Sequence, residues 1–139
     1  GRKAPPPRAV EPPPDVDALN RVRLAMTAES ENLRSRAFLL DKEVELRFRD
    51  RRLTNRDFLD DSNDLFLIAV NPMGKRPLME DLRMRLRAKQ IALNGRDYLW
   101  SGDKVHGAAT SLVNDMLRTL ATIITAVDDF GVWRVEQEF

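Results

Sequence analysis

Apolar residues recur along most of this chain at the spacing of helices that each bury one face. Leu19, Met26, Leu33 and Leu40 stand at intervals of seven, with Val22, Ala37 and Val44 beside them on the same stripe. That pattern predicts an amphipathic first helix of about 30 residues. Pro14 and Asp15 open it, with Asp15 as N-cap and Asp17 in the first turn, where the helix dipole favours negative charge. Glu29, Arg36 and Glu43 occupy what would be the second apolar seam of a coiled coil, so the helix suits a bundle better than a two-stranded rod. Phe38, Leu39 and Leu46 fall off the stripe.

A second helix is expected after Thr54 as N-cap. It carries Phe58, Leu59, Ser62, Leu65, Phe66, Ala69 and Val70 at helical spacing and leaves Leu67 and Ile68 off that face. Asn71-Pro72-Met73-Gly74 ends it. Pro77 fits the first turn of a third helix bearing Leu78, Leu82, Leu86 and Leu93, closed by Asn94-Gly95 as a left-handed C-cap. After a loop holding Gly102 and Gly107, a fourth helix is expected from about Ala108 to Asp128. Leu112, Met116, Leu120, Ile123, Ile124 and Val127 form its apolar face, and it ends near Gly131. Four helices with short connections predict an all-α fold, a small antiparallel bundle over residues 15–139.

One passage also fits another period. From Val44 to Arg49 apolar and polar residues alternate strictly, and Trp133, Val135, Gln137 and Phe139 share one side of a tail rich in strand formers. The alternative fold is therefore α+β, with 43–49 and 132–139 paired antiparallel. Against it, Leu40, Val44 and Phe48 continue the helical stripe at intervals of four.

Residues 1–14 contain six prolines in two PPP runs. Proline locks φ and lacks an N–H, so this segment predicts a disordered or extended, polyproline-type arm that acts as a spacer. No two of these prolines are three apart, which removes the PxxP spacing of an SH3-type ligand. A proline-rich leash would also suit an envelope-tethered protein with a lipid anchor upstream of Gly1, so the location is read as cytoplasmic or tethered in a bacterial envelope.

Composition narrows the chemistry. The chain has no cysteine, which excludes disulfides and thiolate chemistry, and its longest apolar run, Leu65 to Val70, is too short for a transmembrane segment. Net charge is +1, with 23 basic residues against 22 acidic, so no global field draws it to nucleic acid or anionic lipid. The lone histidine, His106, lies in Gly102-Asp103-Lys104-Val105-His106-Gly107, and without a cysteine or second histidine it implies neither a metal site nor a catalytic pair. Asp60 with Asp61 and Asp128 with Asp129 are adjacent pairs, which a helix turns about 100° apart. The former read as solvated helix surface and the latter as a helix exit. No cofactor and no enzymatic activity are expected.

Charge clustering points to partners instead. Arg47, Arg49, Arg51, Arg52 and Arg56 crowd ten residues and are followed by Asp57, Asp60, Asp61 and Asp64. With Tyr98, Trp100, Trp133 and Phe139, residue types common at binding hot spots, they form the expected contact surface for a protein partner or for self-association. The reading is an interaction or assembly module, in one version a tethered chaperone or pilot of a secretion or pilus machine. The alternative is nucleic-acid binding through Arg49, Arg51, Arg52, Arg83 and Arg87, with Arg85 turned away from the face that Arg83 and Arg87 share.

Overall fold

A computed structural model describes residues 14–48, 56–96 and 104–138 of the 139. Among them four helices follow one another: α1 (Pro14–Phe48), α2 (Arg56–Val70), α3 (Arg76–Asn94) and α4 (Val105–Glu138). α1 packs against α2 and α4, and α3 against α4 and α2, so α1 and α3 stand at opposite corners of a four-helix ring.

Side-chain contacts fix the directions. Along α1, Arg23 reaches the Val70 carbonyl, Arg34 lies over Phe66 and Asp41 meets Leu59. Rising numbers on α1 thus meet falling numbers on α2. Arg76 pairs with Asp128, Gln90 with Asn114, and Leu93 with His106 across α3 and α4. Each neighbouring pair is antiparallel, the up-and-down topology that short connections impose.

The core is aliphatic and follows the expected stripes closely. Leu33, Ala37, Leu40 and Val44 of α1 meet Phe58, Leu65, Ile68 and Ala69 of α2. Met79, Leu82, Leu86 and Leu93 of α3, with Leu112, Met116, Leu120 and Ile123 of α4, complete the cluster. Phe38, Leu39 and Leu46 are exposed, as their place off the α1 stripe requires. Ile68 departs from expectation: it is fully buried, while Val70 is exposed. The buried face of α2 is therefore 58-61-62-65-68-69, turned slightly from the expected one so that Leu59 and Phe66 are only half-buried.

Several boundaries also move. α1 begins at Pro14, so Asp15 lies within the first turn and not at the cap. α4 starts at Val105 and continues through Gly131 to Glu138. His106 and Gly107 are thus helical, and Asp128 and Asp129 are mid-helix residues rather than an exit. The described parts of 43–49 and 132–139 are both helical, which overturns the strand alternative. At the end of α3, Gly95 stays right-handed at φ −79° and Arg96 takes the left-handed conformation at φ 55°. Its amide still closes the turn on the Leu93 carbonyl. Between α2 and α3, Gly74 at φ 75° adopts the geometry that a residue with a Cβ resists. Residues 1–13 of the proline-rich arm, Thr54 and Gly102 lie outside the described residues.

By their rise, α1 and α4 are each about 50 Å long, while α2 and α3 are about 22 and 28 Å. Because Arg23 already meets the last residue of α2 and Asp128 the first of α3, residues 14–22 and 129–138 run on past the α2–α3 turn.

Candidate functional site

Two groupings of side chains stand out, one internal and one on the surface. The internal one joins α2 to α3. Asp61 lies on the buried stripe of α2, between Phe58 and Leu65, and its side chain is 1% exposed. Lys89 holds the matching position on α3, three residues after Leu86 and four before Leu93, and its Nζ is 2.7 Å from Asp61 Oδ2. Arg85, one turn earlier, forks three ways: Nη1 donates to Asp61 at 2.5 Å, Nη2 to Asp64, and Nε to Asp81 at 3.0 Å.

Burial opposes the Arg85 charge. The hydrogen bond to Asp64 and the nearby carboxylates of Asp61, Asp64 and Asp81 outweigh that penalty and hold its pKa above the ordinary arginine value. Among the described residues no group of three or more carboxylates or histidines is placed to hold a metal ion. Here the carboxylates converge on a guanidinium and an ammonium. The cluster is a brace between α2 and α3.

This arrangement corrects one expectation and adds to another. Asp61 is not solvated surface, although Asp60 beside it is exposed. Arg85 is indeed turned away from Arg83 and Arg87, but it points to α2. The arginine-to-aspartate stretch is thereby divided, because Asp61 and Asp64 are engaged inside the molecule. Arg47 lies in α1, and Arg56 and Asp57 open α2. Arg49, Arg51, Arg52, Tyr98, Trp100 and Phe139 lie outside the described residues. Trp133 is half-buried and stacks on Phe130 at a centroid distance of 5.8 Å. Arg83 pairs with Glu80 and Arg87 donates to Gln90 at 2.9 Å, both within α3. His106 is a helix connector, its Nε2 2.8 Å from the Leu93 carbonyl. Only an Nε2–H can bond there, which selects that tautomer.

The surface grouping is a groove between α1 and α2, lined by Glu31, Arg34, Ser35, Phe38 and Leu39 on one side and Leu59 and Asn63 on the other. Phe38 and Leu39 are 49% and 66% exposed. Arg34 rests over the Phe66 ring at 5.1 Å and Lys42 over the Phe38 ring at 5.7 Å. Below the groove, Asp41 of α1 accepts a hydrogen bond from the Leu59 amide at 3.1 Å, tying the first turn of α2 to α1. Sequence reasoning placed Phe38 and Leu39 outside the core but gave no sign of Arg34 or Lys42, since a cation over a ring leaves no mark in spacing.

Compared with known proteins, the chain matches no family model, no curated sequence and no solved structure.

Proposed function

We propose that the chain is a non-catalytic protein–protein interaction or assembly module. The observation that carries this reading is the apolar surface left on the outside of a bundle whose interior is already filled. Phe38, Leu39 and Leu46 on α1 and Leu67 on α2 are all exposed, although the inward stripes of both helices are complete. Single exposed hydrophobics are ordinary, but rows of them beside a groove mark contact surfaces.

A tethered form of the module, in which residues 1–14 serve as a leash for an assembly chaperone or pilot of an envelope machine, is supported by the proline-rich sequence of that segment. The full chain tests the general reading directly. Affinity capture from native lysate, combined with mass measurement of the purified protein, should return a stoichiometric partner or a defined oligomer. A monomer that captures nothing reproducible, from lysates of several growth conditions, would sink it.

A further inference from the structure

Some cations elsewhere on the described surface are matched to carboxylates, while others, such as Lys75 and Arg87, bond to neutral oxygens. Arg36 and Arg118 pair with Asp115, Arg76 with Asp128, and Arg83 with Glu80. At the α1–α2 groove Arg34 is part of the lining and Lys42 flanks it over Phe38. Arg34 and Lys42 lie over aromatic rings and Arg23 donates to a backbone carbonyl, none of them paired with a carboxylate among the described residues. Among the described residues Glu31 is the one carboxylate in the groove lining. An apolar floor is thus edged by cations that hold their positions without an acidic partner of their own.

We propose that this groove receives an amphipathic, acidic helix of a partner protein, its apolar stripe on Phe38, Leu39 and Leu59 and its flanking carboxylates on Arg34 and Lys42. The proposal rests on the interaction reading above and names the partner's chemistry. The lining of α1 from Glu31 to Leu39 covers about 12 Å, which matches anchors spaced i, i+4 and i+7 on an incoming helix. A helix satisfies its own backbone groups, whereas an extended peptide over this floor would leave amides and carbonyls facing apolar side chains. The described bundle offers no strand edge to pair them. Arg34 can take a carboxylate by two parallel hydrogen bonds, and Lys42 by one. Because the cations sit at a rim exposed to water, they set partner choice and encounter rate more than total affinity.

The test uses a displayed library of 18-residue helices with leucines at i, i+4 and i+7 and the remaining positions randomised among Glu, Lys, Gln, Ser and Ala. It is selected on the full chain, and the selected peptides are measured against wild type, the double variant Arg34→Glu/Lys42→Glu, and Leu39→Lys. All three substituted residues are exposed, and circular dichroism checks that each variant keeps its helices. Selected peptides should carry an excess of glutamate and bind the double variant at least tenfold more weakly than wild type. Their affinity for wild type should fall as salt is raised, and Leu39→Lys should lose binding. Three results overturn the proposal: no peptide is enriched, the enriched peptides are basic or neutral, or they bind the double variant as well as wild type. If the purified protein is instead a dimer that Leu39→Lys dissociates, a second copy covers the groove. The acidic-helix proposal then falls while the interaction reading stands. The same separation follows if a captured native partner binds Leu39→Lys undiminished.

Discussion

Lys89 and Asp61 meet at 2.7 Å across the α2–α3 seam, each on the stripe that its helix turns to the core. A charge in such a position is stable only while its partner is there, because water has been removed from both. Asp61→Ala should therefore destabilise the protein by about 3–5 kcal/mol. Asp61→Leu combined with Lys89→Met replaces the pair by apolar groups, while Arg85 keeps Asp64 and Asp81. That double variant should lie within about 1 kcal/mol of wild type or above it. Urea denaturation of the three proteins decides the matter. A double variant no better than Asp61→Ala would refute the pairing.

Arg85 tests the geometry of the same brace. Lysine keeps the charge but not the three-pronged fork, so Arg85→Lys should cost about 1–3 kcal/mol. The pKa of Arg85 is raised on folding, so its contribution is complete below the ordinary arginine pKa and is lost only as pH climbs through the raised value. The stability difference between wild type and Arg85→Met should accordingly be flat from about pH 6 to 9. A difference that shrinks within that window would show that another group carries the effect.

Leu39 and Leu40 are neighbours in sequence but 66% and 5% exposed. Leu40→Ala should cost about 2–5 kcal/mol through the cavity it leaves. Leu39→Ala should fall within about 0.5 kcal/mol of wild type. Comparable losses at both positions would mean that α1 is rotated from the orientation described.

The sequence made α1 legible because its stripe is aliphatic. Leu33, Ala37, Leu40 and Val44 read correctly, and the four-residue step from Leu40 to Val44 outweighed the local alternation that suggested a strand. Leu46 shows why that alternation misled: it is apolar and alternates with its neighbours, yet it faces outward. Asp61 and Lys89 stayed hidden because a charged residue on an apolar stripe counts against the stripe until its partner is known. The signal was present in the spacing of Leu82, Leu86, Lys89 and Leu93. Gly131 misled for a different reason: a helix-interior glycine costs about 1 kcal/mol, which a long helix can absorb.

Asp41 of α1 accepts a hydrogen bond from the Leu59 amide of α2 and so joins two helices. Replacing it with alanine removes the acceptor at the Leu59 amide and should cost about 1 kcal/mol, while Asp41→Asn, whose amide oxygen still accepts, should recover most of it. Equal losses in the two variants would assign the effect to the carboxylate charge instead.

His106 carries a structural expectation only. Loss of its hydrogen bond to Leu93 in His106→Ala should lower stability by about 1 kcal/mol, since the Leu93 carbonyl keeps the Arg96 amide as a partner. Chemical denaturation is the readout, and a change above about 3 kcal/mol would point to a larger role in joining α3 to α4.

The unequal helix lengths divide the molecule by how its amides should exchange with solvent. Around Leu82, Leu86 and Leu112, where all four helices pack, hydrogen exchange should require global unfolding. Toward the ends of α1 and α4, residues 16–22 and 130–136 contribute only Leu19 to the buried hydrophobics and lie outside the main core cluster. Their protection should therefore decay toward the two chain ends by fraying alone. A bundle whose ends loosen before its middle can expose or reshape that extension without disturbing the α1–α2 groove or the charged brace.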